Sequence, residues 1–254
     1  GLLANGAVAV MGYAQTFYLL PISLFGISIA ASELPELSRM RGEDREVLAA
    51  RVAVALRRVA YFLIPSAIAY LALGDVVIAA LYETGEFGAA QTLISWGVLG
   101  AFALGLPASA SSRALSSVFY ALRDTKTPAR IAYLRVVVSL VIGVAAMLPL
   151  DQYGFSGLRL GAAGLAFGTS CAAWLEYVML RRALARQIGA HGPGTGPVVR
   201  LALAATIAAA VGVTLQLVLP PAQPWLVALE TLLPFGVLYL VATALLGQGI
   251  SLRR

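Results

Sequence analysis

The chain has 254 residues, of which 60% are hydrophobic and 12% are charged, with a mean hydropathy of +0.86. Soluble domains carry about twice that charged fraction, so a water-soluble globular protein is excluded. A single cysteine, Cys171, and a single histidine, His191, exclude an internal disulfide, a cysteine metal cluster and a catalytic triad. We expect no metal site and no cofactor.

Apolar runs long enough to cross a bilayer recur along the whole chain. They lie at 7–32, 56–74, 91–117, 129–149, 160–181, 198–219 and 224–247. A helix needs about 20 such residues to span the hydrocarbon core. The sequence therefore predicts an all-α fold, a polytopic membrane helix bundle of about seven transmembrane helices.

The net charge of +6 comes from basic residues in alternate loops. Arginines follow the first, third and fifth spans and end the chain, at 39–58, 113–135, 181–200 and 253–254. The other loops carry acidic residues and one basic residue, Arg159. The positive-inside rule then places the amino end outside and the carboxyl terminus in the cytoplasm. Because the loops explain the basic charge, no nucleic-acid partner is expected.

The first span carries polar side chains and helix-disturbing residues. Gln15 and Thr16 precede Pro21 and Gly26. Proline removes a backbone donor and kinks a helix. A membrane tolerates this where neighbouring helices or a water-filled cavity satisfy the freed carbonyl. Gln15 and Thr16 are candidate cavity residues, and Pro21 and Gly26 are candidate hinge positions.

The third span has a bend signal, Gly105 and Pro107, followed by a serine-rich half with Ser112 and Arg113. An ionised side chain inside a span costs several kcal/mol unless it reaches the interface or a polar interior. Arg113 either snorkels to the interface or faces a cavity for an anionic ligand, and the serines either serve helix packing or line that cavity. Arg113 and Ser112 join the candidate substrate-cavity residues, and Gly105 and Pro107 join the hinge positions.

The fourth span begins in a polar loop motif formed by Asp124, Thr125, Thr127 and Pro128. Threonine is a good N-cap and proline suits the first helical position. We therefore expect Thr127 to cap the helix and the motif to be structural.

The fourth and fifth spans each carry a charged residue well inside their ends, Arg135 and Glu176 respectively. Both are expected to lie near the interface. The pair Gly164 and Gly168, with three residues between them, predicts close helix packing around the fifth span. The segment 191–197, HGPGTGP, predicts a linker between the first five spans and the last two. Enzyme signatures are absent, so we expect no catalytic residue and no enzyme.

Three strings together resemble a known family. They are YAQTFYLLPISLFGISIAASELPELSR at 13–39, LYETGEF at 81–87 and FYALRDTKTP at 119–128. They are similar to the carboxyl-terminal half of the MurJ/MviN lipid II flippases, within the multidrug/oligosaccharidyl-lipid/polysaccharide exporter superfamily. Arg113 falls where that family tends to have a cavity-side Lys or Arg, whereas Thr16 and Leu19 replace a frequent arginine and acidic residue.

The resemblance implies half of a two-lobed fourteen-span transporter that works by alternating access. Residues 1–190 would form five spans of the second lobe, 191–197 a linker, and 198–254 two additional spans. The implied partners are a lipid-linked glycan, membrane lipids and an amino-terminal lobe missing from this chain. Because the chain opens with Gly1, we expect a piece of a longer protein.

Three functions stay open. The first is flipping of lipid II, a peptidoglycan precursor, across the bacterial cytoplasmic membrane. The neutral pair Gln15 and Thr16 favours the second, a flippase or exporter for another polyprenyl-linked glycan or a drug. The third is a non-transporting scaffold that binds cell-wall synthesis proteins through the basic loop 39–58.

Overall fold

The computed structural model describes residues 7–27, 45–83, 87–155, 158–219 and 223–248. Parts of the predicted basic loop 39–58 and the carboxyl-terminal arginines lie outside the described residues. The helices are α1 (Ala7–Pro21, continued by a π-helical turn at Ile22–Ile27), α2 (Arg45–Tyr82), α3 (Ala89–Ala103), α4 (Leu106–Ala121), α5 (Lys126–Leu150), α6 (Gly161–Ile188), α7 (Thr195–Val218) and α8 (Pro224–Leu245). An antiparallel pair of two-residue strands, β1 (Gly154–Phe155) and β2 (Leu158–Arg159), connects α5 to α6.

The described helices account for the seven predicted spans. Six segments are long and apolar enough to cross a membrane, and α3 with α4, bent by 40° at their break, form a seventh. The predicted all-α bundle of about seven transmembrane helices is confirmed. Boundaries differ most for the second span, since α2 begins at Arg45 and ends at Tyr82. Its 38 residues extend about 57 Å, well beyond a hydrocarbon core of about 30 Å.

Helix α2 is the centre of the packing. One hydrophobic cluster joins it to α1, α3, α4 and α6, with fully buried side chains such as Leu63, Leu99 and Phe119. A second cluster on its other side joins it to α7 and α8 and includes Leu73 and Leu201. Within the described ranges, the last two helices therefore attach to the bundle mainly through α2.

The α5–α6 interface confirms the predicted close packing of glycines. A Cβ atom added to Gly168 would lie 2.4 Å from Gly143 Cα, and one added to Gly164 would lie 2.5 Å from Met147 N. Real Cβ atoms do not approach that closely, so only glycine lets the two backbones touch. Helix α5 has few contacts with other described helices, so these glycines hold it in place.

Prolines inside the spans free carbonyl groups, and tyrosines from neighbouring helices bind them. Pro21 supplies no N–H to the carbonyl of Phe17, and the Tyr70 hydroxyl donates to that oxygen at 2.9 Å. A buried carbonyl without a donor would cost several kcal/mol in lipid. This hydrogen bond therefore connects the irregular end of α1 to α2.

Two irregular positions within α2 are stabilised in a similar way. Pro65 frees the carbonyl of Tyr61, which accepts a hydrogen bond from the Tyr239 hydroxyl of α8 at 2.5 Å. At Leu73 the backbone leaves helical geometry (φ −129°, ψ 17°), and the nearby Tyr70 carbonyl accepts from Trp96 Nε1 at 3.0 Å. Each irregularity of α2 thus has its own partner helix.

Candidate functional site

The break in the third span, between α3 and α4, is held by α6. The Ser170 hydroxyl donates to the carbonyl oxygens of Ala101 at 2.6 Å and Phe102 at 3.2 Å. Trp174 Nε1 donates to the carbonyl oxygen of Leu104 at 2.8 Å. The Phe102 carbonyl also accepts from Gly105 N at 3.0 Å, so the side-chain donors mainly serve the carbonyls of Ala101 and Leu104 at the break.

Position 105 needs a glycine because a larger side chain would collide with α6. Its backbone is right-handed (φ −93°, ψ −6°), a conformation open to any residue. A Cβ atom would lie 2.6 Å from Ser170 Cα and 2.7 Å from its Oγ. Pro107 lies in the first turn of α4, where it needs no backbone donor. A bend is therefore found where the sequence places Gly105 and Pro107, and hinge motion there remains a prediction.

A polar contact joins the first and third spans just beyond the break. The Tyr18 hydroxyl donates to Ser109 Oγ at 2.7 Å, and both residues are buried. One turn further, Ser112 is 2% exposed and its Oγ has no hydrogen-bond partner in the described part of the chain. Ser112 faces the protein interior, so this chain does not bring it to the surface that carries Arg113.

Arg113 is exposed on α4. Among the described residues it has no ion-pair partner within 4.0 Å. It lies eight residues before the end of α4 at Ala121, about 12 Å along the helix axis. The structure therefore presents a free guanidinium on the outside of the bundle, next to the buried serine face of the same helix.

Gln15 and Thr16 are exposed on α1, and the Thr16 hydroxyl donates to the Gly12 carbonyl at 3.0 Å. They precede the Tyr18–Ser109 contact by about one turn, whereas Arg113 follows it by about one turn. Because the first and third spans cross in the same direction, roughly 10 Å along the bundle separates the two groups. Ser112 is buried whereas the other three predicted cavity residues are exposed, and a shared cavity lined by the four remains a prediction.

Pro21 and Gly26 flank an irregular part of the first span. The α-helix ends at Pro21 and a π-helical turn runs from Ile22 to Ile27, which includes Gly26. π-helical turns often mark functional positions in helices. The helix is disturbed at the predicted hinge, and its movement remains a prediction.

An ion pair connects α5 to α6. Arg135 Nη1 lies 2.6 Å from Glu176 Oε2, with side chains 28% and 10% exposed. Their position near the interface stays a prediction, and the structure adds that the two residues pair with each other. Opposite charges in consecutive spans were the signal that could have revealed it.

The amino terminus of α5 is capped by the side chain of Asp124 rather than by Thr127. Asp124 Oδ1 accepts from Thr127 N at 3.0 Å, and Oδ2 accepts from the Thr127 hydroxyl at 2.6 Å. These hydrogen bonds lower the pKa of the Asp124 carboxyl. Helix α5 already begins at Lys126, so Pro128 is its third residue and the predicted threonine cap was wrong. The Asp124 side chain takes that part.

No group of three or more His, Cys, Asp or Glu side chains that could bind a metal occurs among the described residues. The candidate site consists of the bent third span, Arg113 without an ion-pair partner among the described residues, and irregular helix segments whose carbonyls accept hydrogen bonds from neighbouring helices.

Comparison with known proteins gives the family. The family described as "Lipid II flippase MurJ" matches residues 2–236. The chain belongs to the MurJ family. It is 33% identical over 177 residues to a probable lipid II flippase MurJ of Rhizobium tropici, covering 69% of this chain and 31% of that protein. A lipid II flippase MurJ of Thermosipho africanus is 31% identical over 160 residues, covering 63% and 31%.

A solved structure of a lipid II flippase MurJ in an inward closed conformation has the same fold. The TM-score is 0.74 at 24% sequence identity, and the match covers 95% of this chain and 47% of that one. The chain thus spans about half of the solved MurJ and aligns with about a third of the curated relatives. It is a multi-pass membrane protein of the MurJ family and corresponds to a partial transporter.

Proposed function

We propose that this chain is the carboxyl-terminal half of a flippase that moves lipid II from the inner to the outer leaflet of the bacterial cytoplasmic membrane. Lipid II would cross by alternating access, without covalent chemistry, so the chain needs no catalytic residue and no cofactor. The proposal is supported by the family match over residues 2–236 and by the shared fold at a TM-score of 0.74.

Arg113 is the observation that links the geometry to this substrate. A free arginine within an apolar span costs up to about 2.5–3.5 kcal/mol. A pyrophosphate group offsets that cost through charge-assisted hydrogen bonds. Arg113 is exposed on α4 without a described ion-pair partner, so its guanidinium is open to an anion. In the complete protein, this surface would face the amino-terminal lobe across the cavity.

The two helices α7 and α8 would form an accessory pair. Residues 1–190 would supply five spans of the second lobe, 191–197 the linker, and 198–254 the pair that borders the groove for the lipid tail. The packing of α7 and α8 on α2 alone among the main described contacts supports this division. The basic connections would lie in the cytoplasm, together with the carboxyl terminus.

Substitution of Arg113 tests the site in the complete protein. Arg113→Ala should abolish growth in a strain depleted of its own flippase, while the protein still inserts and accumulates in the membrane. Arg182→Ala is the matched control, because Arg182 is exposed near the end of α6. Undiminished growth with Arg113→Ala would remove Arg113 from the substrate path.

A second candidate is transport of a different polyprenyl-linked glycan. The neutral side chains of Gln15 and Thr16 are exposed on α1, so hydrogen bonding rather than charge would select the ligand there. Competition of lipid II with other polyprenyl-pyrophosphate sugars for the purified complete protein separates the two candidates. Preferential binding of a sugar other than lipid II would favour the second.

A further inference from the structure

A cleft separate from the α4 surface lies at the basic end of the bundle, where α2 begins and α6 ends. Its volume is about 680 Å³, and its walls come from the first turns of α2, the last turns of α6 and the connection to α7. Glu46 contributes from α2, Arg181 from α6 and His191 from the connection. None of these residues belongs to the α4 surface that carries Arg113.

Two opposite charges line this cleft without pairing. Glu46 and Arg181 are both exposed, and no ion pair within 4.0 Å joins them in the described ranges. A hydrogen bond positions Arg181, because its Nε donates to the His191 carbonyl at 3.3 Å. A Cβ atom on Gly192 would lie 2.6 Å from Arg181 Nη2, so the glycine leaves room for the guanidinium.

His191 lies in the same wall, with its ring buried. Its Nδ1 lies 3.0 Å from the Gly189 carbonyl, which only accepts, so Nδ1 carries the proton. Burial, and secondarily the charge of Arg181, lower the pKa of His191. The ring is therefore neutral at pH 7, and Nε2, an acceptor without a partner in the described part of the chain, is left unsatisfied.

We place the cleft at the level of the lipid headgroups, because arginines cluster where α2 begins and α6 ends. Helix α2 has 38 residues with a break in helical geometry at Leu73, and its roughly 57 Å of helix exceeds the thickness of the hydrocarbon core. The floor is formed by Ala49, Ala50 and Ala53 on one side of α2, whose small side chains leave space beside the charged rim. A lipid with a small polar headgroup fits a cleft that has a charged rim and an alanine floor.

We propose that this cleft binds the phosphoethanolamine headgroup of a membrane phospholipid. The phosphate would accept from Arg181, and the primary ammonium would donate to Glu46, so a zwitterion bridges two charges that the protein leaves apart. The site is independent of the proposed lipid II path.

The charges of the cleft also discriminate between common headgroups. Phosphatidylglycerol has no cation and meets the Glu46 carboxylate with its own negative charge. Phosphatidylcholine has a cation but no N–H donor. The preference expected for phosphatidylethanolamine over either is roughly threefold to fivefold, because partly exposed charge pairs contribute modestly.

Native mass spectrometry of the complete protein in detergent, titrated with each of the three lipids, measures this preference. Glu46→Gln should reduce the ethanolamine preference over phosphatidylglycerol to about one, and Arg181→Gln should weaken binding of all three lipids. Arg182→Gln, which removes the same charge from the adjacent residue outside the cleft, should behave like the wild type. Soluble phosphoethanolamine should compete, and inorganic phosphate alone should compete less well.

Equal binding of the three lipids by the wild type would overturn the proposal. So would an equal effect of Arg182→Gln and Arg181→Gln, because binding would then follow the overall charge. Equal competition by inorganic phosphate and phosphoethanolamine would remove the ammonium contact. Flippase activity of these variants is measured separately, and its loss or retention bears on the lipid II proposal alone.

Discussion

Gly105→Ala tests whether the broken third span is held in place by α6. The added Cβ would lie 2.6 Å from Ser170 Cα, and ordinary carbon contacts need about 3.6–4.0 Å, so the two backbones must separate by about 1 Å. Overpacking of this kind costs about 1–3 kcal/mol. Weakening the hydrogen bonds from Ser170 to the Ala101 and Phe102 carbonyls adds roughly 1 kcal/mol. The free energy of unfolding should fall by about 2–4 kcal/mol.

Chemical denaturation of the purified protein in bicelles measures this loss. Gly236→Ala is the matched control, because an added Cβ there has no atom within 4 Å, and alanine is the better helix former by about 1 kcal/mol. The control should be as stable as the wild type or more stable. A Gly105→Ala protein no less stable than this control would refute the close approach of α6 to the break.

Three further predictions concern stability. Tyr239→Phe removes the donor to the Tyr61 carbonyl and should lower the unfolding free energy by about 1 kcal/mol; no change would mean that another group binds this carbonyl. Glu176→Gln leaves Arg135 without its partner and should cost about 1–3 kcal/mol in the same assay, while adding Arg135→Gln should recover part of the loss; a double variant less stable than the single one would contradict the pair. Asp124→Ala should cost about 1 kcal/mol near pH 7. Since the pKa of Asp124 is lowered from 3.8, this difference should persist above pH 3.8 and disappear as the pH falls through the lowered value, and a difference independent of pH would contradict it.

The number and order of the spans could be predicted from the sequence because burial in lipid imposes long apolar runs. The glycine pair of α6 was also readable, since Gly164 and Gly168 recur on one helix face and permit close approach. The bend at Gly105 was visible for a similar reason. Each of these features depends on local composition alone.

Features that depend on helix rotation and neighbours could not be predicted in the same way. Ser112 and Arg113 are adjacent in the sequence, yet one faces the interior and the other the surface, because successive residues differ by about 100° around a helix. The cap of α5 was assigned to Thr127, although the carboxylate of Asp124 is the stronger acceptor and reaches its N–H. The partner of Phe17, Tyr70, is 53 residues away.

Translocation of lipid II by the complete protein tests the central claim most directly. The protein is reconstituted into liposomes with labelled lipid II or with another polyprenyl-pyrophosphate glycan, and an impermeant enzyme outside the vesicles cleaves each lipid as it reaches the outer leaflet. Cleavage of lipid II beyond the half already outside, faster than for the other glycan and lost with Arg113→Ala, is the expected result. Cleavage that stops at the outer half would contradict lipid II flipping by this protein, and an equal rate for both lipids would contradict its selectivity for lipid II.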